Sequence, residues 1–265
     1  MIRSPIMTVM TDAVMKASRS LIRDFGEVEN LQVSKKGPSD FTTKADRKAE
    51  MILRDMLDKA RPGYGFIFEG VDPIVGVDKT HTWHIDPLDG THNFMHGLPH
   101  FAISVGLERD GQIVAGVVYD PIKDEMYVAE KGQGAFVNNR RIRVSSRQLL
   151  ADCLIGTQIP NISKAGHPTF MQEMSNIMIR TVGVRSMGAS SLNLAYVASG
   201  RLDGYWDRKL SSWDVAAGLI LIREAGGFIT KITGKDTPFV SGNPHIDTLV
   251  CGNEAIHREL QIVLK

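Results

Sequence analysis

Two carboxylates at positions 86 and 89 are the residues with the clearest chemical potential in this chain. Asp86 and Asp89 lie three residues apart in an apolar segment, with Pro87 between them and Gly90-Thr91 directly after. Two acids held this close repel each other unless a cation lies between them. Hard divalent cations such as Mg²⁺ take oxygen ligands of this kind, usually together with waters and a substrate phosphate. The segment therefore predicts a metal-assisted phosphate site.

A purely structural interpretation of this segment also exists, since Asp-Gly is a common turn pair and proline makes turns rigid. Two distant acids favour the metal site: Glu69 ends the preceding predicted strand, and Asp214 lies at a predicted helix start. The backbone N–H groups of Gly90 and Thr91 would favour a bound phosphate. Taken alone, Asp214 could be a helix cap and Glu69 a solvated acid, so the prediction depends on the whole set.

Several other polar residues have two interpretations each. Ser190 and Ser191 could face a ligand at a helix start or could cap that helix. Asp207 could accept hydrogen bonds from a polyol or could form a surface salt bridge. The histidines at 92, 96 and 100 have helical spacing, but an intervening glycine and proline interrupt a helix, so a histidine metal site is disfavoured. The sequence contains no nucleophilic serine elbow, Walker loop or dinucleotide-binding glycine motif.

Two helices followed by a largely antiparallel sheet are predicted for the first half of the chain. Apolar residues at helical spacing predict helices from about Pro5 to Phe25 and from about Thr43 to Arg61. Between them, a polar segment with glycine and proline predicts a loop over residues 33–40. Strands are predicted over residues 66–69, 82–86, 101–108, 113–119, 125–129 and 135–137, with turns at 110–111 and 138–139.

The second half alternates strands with helices, which predicts an α/β layer. The strands are predicted over residues 153–157, 181–185, 204–207, 228–232 and 247–251. The helices are predicted over residues 170–179, 190–198 and 214–225, with a last one starting near Asn253. In this arrangement Glu69 returns to the sheet edge that carries the acidic turn.

The length of the chain suits one large domain or two closely joined halves, and the predicted elements divide it into residues 1–145 and 146–265 of one compact domain. The chain has 265 residues, of which 43% are hydrophobic, and a formal net charge of +1. No global charge therefore draws it to nucleic acid or membrane. Cys153 and Cys251 lie in apolar surroundings and are expected to be reduced core thiols. No apolar stretch approaches the ~20 residues of a membrane helix, and the N-terminus lacks signal-peptide features, so the cytoplasm is the expected location.

Four segments make the chain similar to the inositol monophosphatase family, in the same order and at similar spacings over nearly its whole length. Asp86-Pro-Leu-Asp-Gly-Thr-His-Asn-Phe94 resembles the first signature of that family. Trp213-Asp-Val-Ala-Ala-Gly, followed by Glu224-Ala-Gly-Gly227, resembles the second. Residues 40–46 resemble the loop before the second helix of the family, and residues 131–138 resemble one of its strand–turn segments.

The resemblance implies an α/β (α+β) fold of five layers, an αβαβα sandwich, commonly assembled as a homodimer. It implies Mg²⁺-dependent hydrolysis of a small phosphate monoester, with inositol 1-phosphate as the first candidate substrate. Lithium inhibition is expected by the same analogy. Two Mg²⁺ ions are implied, together with a third ion that is weaker and largely hydrated.

The resemblance also implies metal ligands. Glu69, Asp86 and the Leu88 carbonyl would hold one ion. Asp86, Asp89 and Asp214 would hold a second, and Glu69 would face the third. Asp89 and Asp214 would thereby also border the bound substrate.

Further roles come from the same resemblance. Asp46 and Thr91, with Glu69 at the metal, would orient the attacking water. The Gly90 and Thr91 N–H groups would bind the phosphate. The alcohol would contact Asp207 and the Gly188-Ala189-Ser190 segment.

Three positions depart from the family pattern. Gly70 follows Glu69 where the family usually has a second acid, which concerns the third ion. His92 replaces a small hydroxyl residue after Thr91, which concerns the phosphate contacts. Phe68 occupies a position that is often small.

Two alternatives remain open at this point. The same chemistry could act on fructose 1,6-bisphosphate, histidinol phosphate or a 3′-phosphonucleotide, for which Arg185, Arg201, Arg208 and Lys209 are candidate extra cations, although each could equally be a solvated surface residue. Some bacterial relatives of the family also act in transcription antitermination through RNA polymerase and RNA. The near-neutral charge gives no basic footprint for direct nucleic-acid contact.

Overall fold

Two long amphipathic helices form one outer layer of the protein, in a computed structural model that describes residues 4–26, 33–35, 41–160, 166–234 and 237–265. Helix α1 (Pro5–Phe25) begins after Ser4, whose side chain accepts a hydrogen bond from the Met7 N–H at 3.2 Å. Helix α2 (Lys44–Ala60) packs against it. Both helices match the predicted ones.

A short antiparallel pair separates the two helices along the chain. Strand β1 (Val33–Lys35) pairs with strand β2 (Phe41–Thr43). The predicted loop over residues 33–40 was therefore wrong for its first part, because three polar or β-branched residues find a partner strand that composition alone does not reveal. Residues 36–40 lie outside the described residues.

A seven-stranded sheet supports these helices. In spatial order its strands are β3 (Gly65–Phe68), β4 (His81–Asp89), β5 (Ala102–Arg109), β6 (Gln112–Asp120), β7 (Glu125–Glu130), β8 (Gly134–Val137) and β9 (Arg140–Arg141). Strand β3 runs parallel to β4, and all other neighbours are antiparallel, as predicted. The β5–β6 hairpin turns at Asp110 and Gly111, both at positive φ. A short helix α3 (Thr91–Met95) follows β4 directly.

A second, five-stranded sheet belongs to the C-terminal half. Its strands are β10 (Leu154–Thr157), β11 (Gly183–Ser186), β12 (Gly204–Ser211), β13 (Phe228–Thr230) and β14 (His245–Gly252), in the spatial order β11-β10-β12-β14-β13. The helices are α4 (His167–Met178), α5 (Ser190–Ala198), α6 (Ser212–Glu224) and α7 (Glu254–Val263). A 3₁₀ turn spans Leu150–Asp152. These elements confirm the predicted alternation.

Helices α5 and α6 lie between the two sheets and contact both of them. Helices α1 and α2 cover the outer face of the large sheet, and α4 and α7 lie on the far side of the small one. The order of layers is therefore αβαβα, which confirms the predicted fold. Cys153 and Cys251 are both buried and free. None of the helices in the described part of the chain combines the length and apolarity that a membrane crossing requires.

Helix α6 approaches the large sheet closely because two sheet residues lack side chains. A Cβ atom on Gly106 of β5 would lie 2.5 Å from the Ala216 Cβ, and one on Gly116 of β6 would lie 2.6 Å from a methyl of Ile220. On its other side, a Cβ on Gly218 would lie 2.5 Å from the Leu194 side chain of α5. Helix α6 therefore packs so tightly between the large sheet and α5 that neither contact leaves room for an additional methyl group.

Candidate active site

The end of strand β4 carries the two acids of the central motif. A regular strand would point Asp86 and Asp89 to opposite faces, because side chains alternate along a strand. Asp86 pairs with Ser104 on β5. Asp89 pairs with Ala102, so that three steps on β4 match two on β5. The extra residue is a β-bulge, which accommodates Pro87 and returns both carboxylates to one face.

Asp86 is the most deeply buried of these acids and is surrounded by the others. Its side chain is 2% exposed, and its carboxylate accepts a hydrogen bond from the Leu88 N–H at 2.9 Å. Burial raises the pKa of Asp86 well above its ordinary value of 3.8, and nearby negative charges raise it further. In order of effect, those charges belong to Glu69, Asp89, Asp214 and Asp46. Acids from distant parts of the chain therefore gather around Asp86.

Asp89 is bound to the first turn of helix α5. Its carboxylate accepts hydrogen bonds from the Ser190 N–H at 3.2 Å, from the Ser191 N–H at 2.8 Å and from the Ser191 hydroxyl at 2.5 Å. Burial raises the pKa of Asp89, although these hydrogen bonds oppose the rise. The two serines therefore lie at the helix start but do not cap it: the N-cap is Ala189, and an acid from β4 accepts the N–H groups of the first turn of α5.

Asp214 lies in the first turn of helix α6, at the third helical position after the N-cap Ser211. Its carboxylate accepts a hydrogen bond from the Ser211 N–H at 2.7 Å, which completes a capping box. The sequence alternative of a helix-capping acid is therefore realised. Capping also fixes the direction of the Asp214 carboxylate, and its negative charge still contributes to the raised pKa of the buried Asp86.

The turn after β4 holds the remaining residues of the motif. Gly90 has φ +92°, a left-handed conformation that favours glycine, and a Cβ there would lie 3.0 Å from the His100 carbonyl oxygen. The Thr91 hydroxyl donates to the Leu88 carbonyl oxygen at 2.9 Å. Helix α3 starts at Thr91, so the N–H groups of its first turn point toward the end of β4.

Asn93 joins the two halves of the chain beneath this turn. Its side-chain NH₂ donates to the carbonyl oxygens of His100 and Met187, each at 2.7 Å. Gly188, at φ +81°, lies against the same side chain, since a Cβ there would come within 2.8 Å of the Asn93 amide. A side chain in the first signature therefore positions the loop that leads into α5.

Asp207 lies on β12 across the cleft and is 7% exposed, so the surface salt bridge considered from sequence does not describe it. Its carboxylate accepts hydrogen bonds from the Tyr205 hydroxyl at 2.5 Å and from the Arg208 N–H at 2.6 Å. Burial and the charge of Asp207 raise the pKa of Tyr205 well above its ordinary value, so the phenol stays protonated as a donor.

A cavity of about 1250 Å³ opens between these elements. All but two of the predicted site residues line it, namely Glu69, Asp86, Leu88, Asp89, Gly90, Thr91, Gly188, Ser190, Asp207 and Asp214. Among the described residues, the two predicted ones outside its wall are Asp46, which acts on Asp86 electrostatically, and Ala189. The Ala189 side chain is fully buried in the central core, so only its backbone is available for a ligand.

The candidate extra cations divide into two groups. Arg208 and Lys209 line the cavity, and Arg208 forms a hydrogen bond to the buried Glu173 at 2.7 Å. Lys209 has φ +58°, which is strained for a residue with a side chain. Within the described residues, Arg185 and Arg201 lie outside the cavity wall, and Arg201 pairs with Glu125 on β7.

The side chains at the cavity floor suit a hard divalent cation in type, since carboxylates and a backbone carbonyl are oxygen donors. The raised pKa of Asp86 reflects its burial first and then the neighbouring negative charges, which such a cation would offset. Among the described residues, however, no three His, Cys, Asp or Glu side chains form a tight metal-holding group. Two of the acids instead cap the helices α5 and α6.

Comparison with known proteins identifies the family. The model of the inositol monophosphatase family matches residues 3–263. The chain belongs to the inositol monophosphatase family. It is therefore a phosphatase, a hydrolase of phosphate esters, as the sequence predicted.

Similar proteins cover nearly the whole chain. The inositol-1-monophosphatase of Rhizobium meliloti (strain 1021) is 53% identical, covering all of this chain and 98% of the relative. The Nus factor SuhB of Salmonella typhimurium (strain 14028s) is 36% identical, covering 95% of this chain and 92% of the relative. The crystal structure of the extragenic suppressor protein suhB from Bartonella henselae has a TM-score of 0.93 and 50% identity, with 99% of each chain covered.

Sequence reasoning missed residues that hold the site together without lining it. Glu224 of the second signature accepts hydrogen bonds from the N–H groups of Gly132 and Gly134 at 2.8 and 2.7 Å, which ties the β7–β8 turn to α6. His84, directly upstream of the acidic turn, is buried and bonded to Ser212. A histidine between the buried apolar residues Trp83 and Ile85 was the signal that could have indicated such a role.

Proposed function

We propose that this phosphatase hydrolyses inositol 1-phosphate to inositol and phosphate in a Mg²⁺-dependent reaction, with water as the nucleophile. The observation that carries the proposal is the group of acids around the buried Asp86 on the cavity floor. Buried like charges are unfavourable unless a counter-ion accompanies them. The substrate assignment is supported by the 53% identical relative named inositol-1-monophosphatase.

Five groups are proposed to hold the metal ions. Glu69, Asp86 and the Leu88 carbonyl would bind one Mg²⁺, and Asp86 with Asp89 and Asp214 would bind the second. A third, weaker ion would face Glu69. Since Asp89 and Asp214 also cap helices, they would offer the metal the oxygen lone pairs that the caps leave over.

Charge stabilisation must supply most of the rate. Enzymatic acceleration of phosphate monoester hydrolysis reaches about 10²¹-fold, whereas side-chain acid–base catalysis typically contributes only about 10²–10⁴-fold. When bound, a pair of divalent ions activates water and stabilises the negative charge on the phosphoryl and leaving oxygens. In-line transfer then requires the protein to place the water and the leaving group on opposite sides of phosphorus.

The chain itself would position the water and the phosphate. Thr91 and Asp46 would orient the attacking water beside Glu69, and the link from the Thr91 hydroxyl to the Leu88 carbonyl fixes its rotamer. The Gly90 and Thr91 N–H groups, at the start of α3, would donate to the phosphate. The left-handed Gly90 permits the sharp turn from β4 into α3 that this requires.

The opposite wall would recognise the alcohol. Asp207 would accept hydrogen bonds from its hydroxyl groups, and its bond from Tyr205 keeps the carboxylate in one orientation. Gly188 and Ser190 line the cavity beside it, whereas Ala189 would act only through its backbone. Because Ser190 and Asp89 are hydrogen-bonded, the alcohol wall and the metal floor are directly connected.

A substrate panel tests the proposal. Phosphate release would be measured with inositol 1-phosphate, fructose 1,6-bisphosphate, histidinol phosphate and a 3′-phosphonucleotide, each with Mg²⁺ and with EDTA. The proposal expects the highest kcat/KM for inositol 1-phosphate, loss of turnover in EDTA and inhibition by Li⁺. Equal turnover in EDTA would contradict the metal requirement, and a higher kcat/KM for a bisphosphate would reassign the substrate and implicate Arg208 and Lys209.

A homodimer is the proposed assembly. Exposed apolar side chains lie on and around helix α4 and the edge strand β11, namely Ile159, Met171, Met178, Ile179 and Val182. Exposed apolar side chains on neighbouring elements support a subunit interface there. Light scattering after size-exclusion chromatography should give twice the 29.2 kDa chain mass, and the single mass after Ile179→Glu and Val182→Glu. The cytoplasmic location stays a prediction.

A role in transcription antitermination is a second candidate, because the 36% identical relative is named a Nus factor. The net charge of +1 favours a protein partner over direct contact with nucleic acid. Binding of purified RNA polymerase would be measured for the wild type and for Asp89→Asn. Equal binding by both proteins would support a role independent of phosphatase activity. No binding by either protein would exclude the antitermination role.

A further inference from the structure

A chain of polar side chains links the elements that carry the acids. His84 on β4 contacts Ser212 of α6 through Nδ1, with 2.9 Å between the nitrogen and the Ser212 hydroxyl oxygen. Through Nε2, the same ring lies 3.0 Å from an oxygen of Glu108 on β5. The Ser241 hydroxyl donates to the other Glu108 oxygen. This polar chain of side chains therefore runs from the loop before β14 through β5 and β4 to the start of α6.

This polar chain is buried where apolar packing would be the simpler solution. His84 is 1% exposed, Glu108 is 4% exposed and Ser212 is fully buried. Buried polar groups are costly unless they are hydrogen-bonded, and here each one has a partner. Burial acts to raise the pKa of Glu108, but hydrogen bonds from His84 and Ser241 outweigh it and lower the pKa, so Glu108 is ionised at neutral pH.

The polar chain ends at the first turn of α6. Ser212 is two residues before Asp214, and its N–H donates to the Pro244 carbonyl oxygen at 2.7 Å. On the other side, His84 is two residues before Asp86 on β4. The ring of His84 is held by an edge contact with Phe239, with 5.2 Å between the ring centroids. A rigid, fully bonded imidazole therefore spaces the helix start from the strand end.

We infer that His84 and Glu108 are positioning residues that set how closely Asp214 on α6 stands to Asp86 and Asp89 on β4. In the described part of the chain, His84, Glu108 and Ser212 lie outside the cavity wall, so they act through the acids and not on the substrate. The inference rests on the proposed role of these acids as metal ligands. Partners that orient metal ligands are typically worth about 10–100-fold in metal affinity.

The test measures the Mg²⁺ dissociation constant by isothermal titration calorimetry, together with the urea unfolding midpoint and kcat. His84→Leu should weaken Mg²⁺ binding about 10–100-fold. Glu108→Gln, which can still hydrogen-bond to His84, should keep the constant closer to that of the wild type. The matched control is His257→Leu, which removes a histidine that is 8% exposed and lies 2.9 Å from the Thr230 hydroxyl, outside the cavity wall. The control should lose stability but bind Mg²⁺ within about two-fold of the wild type, inside the usual context scatter of such measurements.

A double variant separates positioning from mere stability. His84→Leu leaves the Glu108 charge buried with one partner fewer, whereas His84→Leu with Glu108→Leu replaces both by apolar groups and should recover stability. The inference expects Mg²⁺ binding to stay weak in the double variant, and this variant carries the test if the single one does not fold. Recovery of both properties would overturn the inference, as would an unchanged constant in His84→Leu. Wild-type protein that binds no Mg²⁺ would instead overturn the proposed function, and the inference with it.

Discussion

The close contact between helix α6 and the large sheet makes Gly106→Ala an informative substitution. The new methyl group would lie 2.5 Å from the Ala216 Cβ, whereas ordinary van der Waals contacts start at 3.4 Å. Helix α6 would have to retreat by about 1 Å, but Gly218 already lies against Leu194 of α5 on the opposite side. Part of the overlap therefore remains as strain, for which overpacked cores typically lose about 1–3 kcal/mol.

The retreat of α6 should affect catalysis far more than folding. A loss of about 1–3 kcal/mol leaves a domain with about 5–15 kcal/mol of stability almost fully folded. Asp214 moves with the first turn of α6, and a misplacement of about 1 Å can cost about 10²-fold in rate. From these magnitudes we expect kcat/KM to fall about 10²-fold, while more than about nine-tenths of the protein stays folded. Activity assays and urea unfolding followed by tryptophan fluorescence measure both effects.

Two companion variants make this expectation refutable. Gly106→Ala with Ala216→Gly removes the methyl that the new one meets, and should recover most of the activity, although glycine within a helix costs about 1 kcal/mol. Gly26→Ala is the control, because Gly26 has φ −67° and its nearest contact is 3.4 Å away. Wild-type activity in Gly106→Ala would refute the reasoning, and so would a double variant as inactive as the single one.

Three further outcomes are expected. Asp89→Asn should retain the circular dichroism spectrum of the wild type but lose activity at saturating Mg²⁺. The loss should exceed about 10–100-fold, the usual effect of removing a residue that only orients a metal ligand. Wild-type turnover would contradict the assignment of Asp89 as a metal ligand. In EDTA, the pKa of Asp86 in the folded state lies above its ordinary 3.8, so the folded state binds more protons than the unfolded state, and the contribution of Asp86 to stability falls as pH rises above about 4. The urea midpoints of the wild type and of Asp86→Asn should therefore diverge toward pH 8, with the variant more stable. Midpoints that change in parallel with pH would exclude this effect. Gly70→Glu should tighten the weakest Mg²⁺ dependence but lower stability by about 1–2 kcal/mol, because Gly70 has φ +67°; an unchanged Mg²⁺ activation curve would count against it.

Elements with a clear periodic pattern were predictable from the sequence. Helices α1 and α5 have the predicted bounds. In α1 the apolar residues recur with the helical period, whereas α5 is buried on nearly all sides and was delimited by the glycine that follows it at position 200. Strand β12 extends to Ser211, four residues beyond its predicted end, because pairing with β14 holds a polar segment that lacks strand propensity. Strand β1 and helix α3 were missed for a similar reason, since three to five residues carry too little periodic signal.

The composition of the candidate site was more predictable than its connections. Residue types and spacing identified Asp86 and Asp89, but the bulge that aligns them depends on the register with β5. The bonds from Ser190 and Ser191 to Asp89 join residues about one hundred positions apart, which local patterns do not report. The family resemblance assigned Ala189 to the substrate as part of the Gly188–Ser190 segment, whereas its side chain lies in the central core.

The interleaved order of the layers has a consequence for biosynthesis. The large sheet is complete once Arg141 has left the ribosome, but the cover for its inner face ends at Glu224 of α6. At about 5–20 residues per second, the ribosome needs roughly 4–17 s to make the segment between them. A large sheet formed during that interval would expose its inner apolar face, because Gly106 and Gly116 would lack the helix that packs against them. The interleaved layers therefore favour folding of the large sheet only after α6 has been made.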